Sequence, residues 1–461
     1  MAIIDGFALL SNERVIPFRF ENNFLSLFLE GSPFTFEEDV KFLIGKKHNV
    51  TTGELILFHL AIPLENLGSF ITKDDKVPIS IGTVRTEVDF YIDNYTANSK
   101  FSKMKFSFPE LDYFIPSTKM CKYFPEDSHF EFVGSPEIIM SFNFEYKGKN
   151  VTLMLKLTSV GKLSNKCHAE TNSSLVFKFV ETDDYDFFLA LYHLVHSFFS
   201  FLCNRQNIAL ERAILIGKSK HKLCERQDDG TAITKDRYFP VSSEFNVINQ
   251  YKENIEKSKV IAETINYCSL SSAFEGLFSL FLKGKVSVWS THSSRAARNL
   301  LDLKQCLQIT AAFEYYQRTF LPEISSDETI QVYDDIRLLI EGYADTQSGK
   351  KKKKAKRLLR TFSPTVALSE KICKVYYGYD SWNSLETILS GYFGNDNISE
   401  LANIANLWRN DLAHEKREYD PDENVITAIR LVEHLNYCIV LRQAGYTDDE
   451  IKMIVDKILT R

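Results

Sequence analysis

Between Glu54 and Val180 the dominant period of hydrophobic residues is two. Val88, Phe90 and Ile92 alternate with Asp89, Tyr91 and Asp93. Val151, Leu153, Leu155 and Leu157 alternate with Thr152, Met154 and Lys156, and Leu175, Phe177 and Phe179 alternate with smaller or more polar neighbours. A period of two sends alternate side chains to one face, the pattern of a half-buried strand. Gly148-Lys149-Asn150 lies between the runs FNFEY and VTLMLKL and predicts a hairpin turn. Pro109, Pro116, Pro125 and Pro136 predict strand edges or loops, because proline donates nothing to a ladder. An antiparallel sheet or sandwich follows. Tyr185 to Cys203 breaks the alternation as one apolar helix introduced by Asp183 and Asp184. A strand over Ile208 to Ile216 then returns to the sheet, and Pro240-Val241-Ser242-Ser243 closes the region.

From about Phe245 the period lengthens to that of helices, over Phe245 to Tyr267, Ser294 to Phe320, Ile330 to Tyr343 and Ile398 to Glu415. In the last of these, Ile398, Leu401, Ala405, Trp408 and Leu412 form one apolar stripe. Asp420-Pro421-Asp422-Glu423 reads as a helix start, with an aspartate cap, proline in the first helical position and glutamate closing a capping box. That helix runs through Val425, Ile429, Val432, Leu435 and Ile439 to Gly445, and Thr447 to Glu450 repeats the capping box. The expected fold class is α+β with two domains. An antiparallel β-rich domain occupies 1–240 and an all-α domain occupies 241–461.

Composition adds limits. The 461 residues are 44% hydrophobic and 25% charged, which supports packed cores and excludes wholesale disorder. With a formal net charge of −6, no global field recruits nucleic acid, so any such contact needs a local basic patch. The chain offers one in Lys350, Lys351, Lys352, Lys353, Lys354, Lys356 and Arg357. These residues read either as a solvated loop or as a contact to a phosphate backbone. Eight cysteines stand singly, as in reduced proteins. The first residues lack a cationic start, and no uninterrupted apolar run approaches the roughly 18 residues of a membrane span. A soluble, cytoplasmic protein without membrane contact is expected.

Three constellations invite chemistry. Gly217-Lys218-Ser219 resembles the end of a phosphate-binding loop, but Arg212 stands where that loop needs its first glycine. His193 and His196 share a helix face, yet a zinc site usually takes at least three protein ligands and none is nominated nearby. Arg409, Asn410 and His414 crowd the last turns of the Ile398 helix. Asn410 and His414 are one turn apart, and Arg409 is rotated by about 100° from Asn410 with an arm long enough to reach the same phosphate. Arginine supplies fixed charge, and histidine supplies a proton carrier near neutral pH. The bland reading is a polar helix end with a histidine favoured by the helix dipole.

WRNDLAHE, in a C-terminal helical domain, resembles the R-x4-6-H motif of HEPN-domain ribonucleases, in which a polar residue follows the arginine and alanine precedes the histidine. The segment ITAAFEYYQRTFLP around Glu314 is similar to the acidic, aromatic helix of ApeA-like HEPN proteins, which join a β-rich N-terminal domain to the helical one. The resemblance implies an endoribonuclease that needs no metal or other cofactor and cuts RNA through 2′-hydroxyl attack. It implies a homodimer through the helical domain and a role in bacterial antiphage defence by abortive infection. His414 would carry acid–base chemistry, Arg409 would bind the scissile phosphate and Asn410 would orient either. Glu314 is a further candidate for orienting Arg409. The partners implied are RNA, with tRNA among the candidates, and a phage-derived trigger at a regulatory or sensor domain over 1–240. The alternative is a non-catalytic helical dimer that binds RNA or protein.

Overall fold

The computed structural model describes residues 3–9, 15–30, 41–47, 55–61, 81–115, 121–124, 126, 129–132, 137–160, 170–226, 232–248, 265–299, 301–324, 327–361, 366–393, 397–414 and 421–459. The chain forms two compact units. One comprises 1–196 with 208–266, and the other 197–207 with 267–461. An antiparallel β-rich region precedes a helical one, as the two periods predict.

The first unit contains β1 (Ile4–Leu9), β2 (Val15–Glu21), β3 (Phe24–Glu30), β4 (Phe42–Lys47), β5 (Leu55–Leu60), β6 (Ile81–Tyr95) and β7 (Ser99–Phe106). After helix α1 (Pro109–Phe114) come β8 (Cys121–Phe124), β9 (His129–Phe132), β10 (Glu137–Tyr146), β11 (Lys149–Val160) and β12 (Glu170–Thr182). Helix α2 (Tyr185–Cys203) precedes β13 (Arg212–Arg226) and β14 (Ala232–Val247). Twelve strands join in the order β10-β11-β12-β7-β13-β14-β6-β3-β2-β1-β4-β5. Because β5 also pairs with β6, the last six close into a ring. Ile16, Phe18, Phe20, Leu25, Leu27, Leu43, Ile56 and Phe58 form a core cluster contributed by strands of this ring. Phe18 packs over Gly6 and Gly45, where a Cβ would meet its ring within 3 Å.

Several local expectations change. The sheet begins at Ile4, well before Glu54, and two-residue turns with positive φ at Asn22-Asn23 and Lys147-Gly148 set its hairpins. The β10–β11 turn therefore sits one residue earlier than Gly148-Lys149-Asn150 suggests. Pro109 opens α1 at the helical position that tolerates a missing N–H, while Pro116, Pro125 and Pro136 lie outside the described residues. The returning strand starts at Arg212 and runs to Arg226, and Pro240 lies within β14 opposite Lys218. Phe245 to Val247 are strand, paired with Ile92 to Phe90, so the sheet extends past residue 240 and the helix expected from Phe245 does not start there. Residues 249–264 are outside the described set.

The second unit holds the last turns of α2, then α3 (Tyr267–Leu270), α4 (Phe274–Leu282), α5 (Arg295–Asn299), α6 (Leu303–Phe320), α7 (Asp327–Thr346), α8 (Gly349–Thr361), α9 (Leu368–Tyr377), α10 (Glu386–Phe393), α11 (Ile398–Ala413), α12 (Glu423–Ala444) and α13 (Asp448–Leu459). The single helix expected over Ser294 to Phe320 is two, and Asp302 caps the second by accepting from the Gln305 amide at 2.6 Å. The lysine run is helical, not an extended loop. The bundle forms around α12, in which every residue from Leu431 to Leu441 is buried. Its cap is Asp422, which accepts from the Val425 amide at 2.9 Å, so Pro421 precedes the cap and Asp420 falls outside the described residues. Gly445 ends it in the left-handed region at φ 104. The second capping box forms as expected: Glu450 accepts from the Thr447 amide at 2.9 Å, and these bonds hold its carboxyl below the usual range.

Gly276 on α4 lies against the Ala444 carbonyl at the end of α12, where a Cβ would overlap the oxygen. Alanine ordinarily gains up to about 1 kcal/mol over glycine in a helix. Here overlap with backbone reverses the sign, and Gly276→Ala is expected to destabilise the chain by roughly 1–3 kcal/mol in thermal denaturation.

By length and composition, α2 and α12 are each apolar enough to cross a membrane. Their apolar windows are 67% and 78% buried within the fold, as in core helices.

Candidate functional site

The polar end of α11 is set by its apolar stripe. Ile398, Leu401, Ala402, Ala405 and Trp408 are buried, and Asn397 caps the start of the helix by accepting from the Glu400 amide. Burying Trp408 fixes the rotation of the helix, so the next residue, Arg409, emerges at the margin with its side chain 34% exposed. Asn410 is exposed. The helix ends at Ala413, and His414 is its C-cap, exposed, with its amide donating to the Asn410 carbonyl at 3.2 Å. Glu415, expected as the end of the helix, lies outside the described residues.

Arg409 is aimed by a second helix. Its guanidinium Nη2 donates to Oε2 of Glu314 on α6 at 3.0 Å, and its Nη1 donates to Asn410 Oδ1 at 3.2 Å. The other Glu314 oxygen lies 3.9 Å from Nζ of Lys371 on α9. One carboxylate is thus shared by two cations, with side chains 17–34% exposed. Such partly buried charges interact more strongly than solvated ones. The arrangement leaves net positive charge on the helix end whose C-cap is the exposed His414, a set of groups that suits a phosphodiester: cations can meet the anion, and an imidazole can move protons.

Arg409, Asn410, His414 and Glu314 are the residues expected from the sequence, and the fold brings Arg409 and Glu314 into contact across 95 positions. Lys371 is not singled out by the sequence, because it sits among Glu370 and Lys374 with no local signal to distinguish it. Lys350 to Lys354, Lys356 and Arg357 lie along α8, where Lys352 pairs with Asp345 of α7 at 3.5 Å. They therefore occupy a different helix from those carrying Glu314, Lys371 and Arg409.

Behind the surface, α12 carries a second charged group. Glu433 is 3% exposed, and its Oε1 lies 2.9 Å from both His292 Nε2 and Asn204 Nδ2. Its Oε2 accepts from Arg430 Nη1 at 2.7 Å, and Arg430 also donates to the Arg298 carbonyl. Burial alone would raise the Glu433 carboxyl, but His292, Arg430 and Asn204 outweigh it and hold the group far below the carboxylate range. Asn204, Thr291 and Glu433 line a small cavity with Tyr316, Asn436 and Tyr437. Glu433, His292 and Asn204 are buried and the Arg430 side chain is 23% exposed at the edge, so the network lies inside the bundle with its arginine at the margin.

The two decoys resolve structurally. Gly217 lies in β13 at a register shift, where its missing side chain lets the Lys100 carbonyl approach. His193 and His196 lie near the Tyr192 ring, with centroids 5.8 and 6.4 Å away. Among the described residues no group of three or more His, Cys, Asp or Glu side chains is placed to hold a metal.

Residues 307–450 match the model of the Apea-like HEPN family. No curated protein and no solved structure matches the chain. The matched segment starts in α6, ends in the first turn of α13, and includes Glu314, Lys371, Arg409, Asn410 and His414. Such a domain implies an RNA-related, nuclease-type role. The C-terminal helical region thus carries the match to the ApeA-like HEPN family, over residues 307–450.

Proposed function

We propose that the chain is a metal-independent endoribonuclease whose catalytic residues are Arg409, Asn410 and His414. The observation that carries this reading is the Arg409 guanidinium, held by Glu314 at 3.0 Å at the same helix end as an exposed His414. The 2′-hydroxyl of the RNA attacks the adjacent phosphorus. The 2′-O–P bond forms as the P–O5′ bond breaks, leaving a 2′,3′-cyclic phosphate and a 5′-hydroxyl. His414 as base takes the proton from the 2′-hydroxyl, or as acid gives one to the departing 5′-oxygen, and water carries the other of these two transfers, so that the 2′-oxygen loses one proton and the 5′-oxygen gains one. Acid–base catalysis of this kind is typically worth about 10²–10⁴-fold. Arg409 neutralises the charge that grows on the phosphoryl oxygens, and its contact with Glu314 preorganises it for that task. Asn410 orients the phosphate or the imidazole.

In the same reading the protein acts in the bacterial cytoplasm in antiphage defence by abortive infection. It works as a homodimer through the helical domain, with RNA, tRNA among the candidates, as substrate. The β-rich unit receives a phage-derived trigger. The test of the chemistry is purified protein with RNA in EDTA. Cleavage lost in Arg409→Ala and His414→Ala proteins that remain folded supports it. RNA bound but left uncut by the wild type points instead to a binding module.

Lys350 to Lys354, Lys356 and Arg357 are assigned to RNA docking along α8. Replacing Lys350 to Lys354 by glutamine is expected to weaken binding to RNA and flatten its salt dependence, by about one unit of slope for each phosphate no longer neutralised. Fluorescence anisotropy of an unstructured RNA on the His414→Ala background, at several salt concentrations, measures this without cleavage. Unchanged affinity and slope would remove the run from the interface.

A further inference from the structure

Lys371 has no task in the mechanism above, yet it is built into the site. Helix α9 packs against α11, and its rotation is fixed by Ile372 and Val375, both fully buried. Lys371, one residue before Ile372, therefore stands at the margin of α9 with its side chain 17% exposed, as Arg409 stands beside the buried Trp408 on α11.

The two cations hold Glu314 differently. Arg409 donates to Glu314 at 3.0 Å and to Asn410 at 3.2 Å, so its guanidinium is tied down on two sides. Lys371 Nζ lies 3.9 Å from the same carboxylate, near enough to be attracted. It is outside the roughly 2.7–2.9 Å of a charge-assisted hydrogen bond. An ammonium has N–H donors on every side, and among the described residues those of Lys371 meet no acceptor within hydrogen-bond distance. Glu370, the preceding residue, is taken up by Lys374 at 3.2 Å. Donors sheltered in this way are costly unless another acceptor takes them.

The charges indicate the class of that acceptor. One carboxylate between an arginine and a lysine leaves one positive charge over, and a single phosphodiester brings the group to neutrality. Lysine suits the role, because its point charge and rotating donors follow a phosphate oxygen without the fixed angle of a guanidinium fork. We propose that Lys371 is a second phosphate-binding residue, whose ammonium donates to a non-bridging oxygen of the RNA phosphodiester held by Arg409. The proposal rests on RNA occupying the Arg409 site and not on that RNA being cut, so its test reads binding.

The probe is a single-stranded RNA with fluorine in place of every 2′-hydroxyl, which cannot undergo 2′-hydroxyl attack. Its affinity for the full chain is measured by fluorescence anisotropy over a range of salt concentrations. Loss of one phosphate contact to a single strand flattens the slope of log affinity against log salt by about 0.7, or about 5-fold in affinity at roughly 0.1 M salt. Lys371→Gln is expected to show both changes, and Lys371→Arg, which keeps the charge, is expected to hold the wild-type slope. Lys374→Gln removes a positive charge one turn along the same helix and is expected to leave the slope unchanged. The loss in Lys371→Gln should persist on the Arg409→Ala background, because the ammonium makes its own contact. A wild type that does not bind the RNA, an unchanged slope in Lys371→Gln, an equal fall in Lys374→Gln, or an effect that vanishes without Arg409 would each overturn the proposal. Natural RNA that is bound with this dependence on Lys371 but left uncut would support the contact while ending the nuclease reading.

Discussion

Glu433→Ala is expected to cost about 3–5 kcal/mol, enough to unfold much of the helical unit near physiological temperature. The carboxylate is hydrogen-bonded jointly by His292, Arg430 and Asn204, so its removal leaves the buried His292 and Asn204 without their acceptor and Arg430 without its counter-charge. Glu433→Gln keeps the shape and two acceptor bonds at most, and should lie between the alanine variant and the wild type. Chemical denaturation followed by circular dichroism measures both. A loss below about 1 kcal/mol for the alanine variant would show that the network contributes little.

The same network sets a direction for pH. The folded-state carboxyl of Glu433 is depressed, so the folded chain holds that proton less tightly than the unfolded chain. Its contribution is fully present above the ordinary glutamate range, about 4.3, and is lost as pH falls below it. His434 acts earlier. Burial lowers its imidazole, whose Nδ1 is already engaged with the Arg430 carbonyl at 2.7 Å. Its contribution is present above about 6.5 and declines as the pH drops. Stability should therefore begin to fall below about pH 6.5 and fall further below about pH 4.3.

Arg409→Ala is expected to reduce RNA cleavage by about 10²–10³-fold while leaving the fold intact, because it removes a preorganised charge from the transition state. Arg409→Lys should recover only part of that loss, since an ammonium cannot bridge Glu314 and a phosphate with the same planar fork. Glu314→Gln separates aim from charge: it keeps a hydrogen-bond acceptor for Arg409 but no longer neutralises it. The expected result is tighter RNA binding with slower turnover, read as a lower KM together with a lower kcat. An Arg409→Ala protein that cleaves at the wild-type rate would remove the guanidinium from the chemistry.

The parts of this molecule that were legible in the sequence are those where one face of an element is buried. Alternation in β11 and β12 and the stripe of α11 both report a half-buried surface, and both elements form where the period places them. The outer stretch of the β13–β14 hairpin is exposed on both faces, from Lys220 to Cys224 and from Ile233 to Pro240, so no burial imposes a period there. The strands before Glu54 are six or seven residues long and alternate too, but Pro17 within β2 and the positive-φ turn at Asn22-Asn23 interrupt the period locally. At α8, charge repulsion argued for an extended loop, whereas lysine is a good helix former and α7 supplies Asp345 as a counter-charge. In the site, Arg409 and His414 were legible as neighbours near one helix end. The partnership with Glu314 and Lys371 depends on how α6, α9 and α11 pack, which local spacing does not encode.

In the proposed mechanism this turn cuts RNA through the His414 imidazole without a metal. The most direct measurement incubates wild-type and His414→Ala protein with labelled RNA in excess EDTA and identifies the ends of the products. The expected result is 2′,3′-cyclic phosphate and 5′-hydroxyl ends from the wild type, and cleavage lower by about 10²-fold or more from the variant. Equal cleavage by a folded His414→Ala protein, or wild-type cleavage abolished by EDTA and restored by added metal, would contradict it.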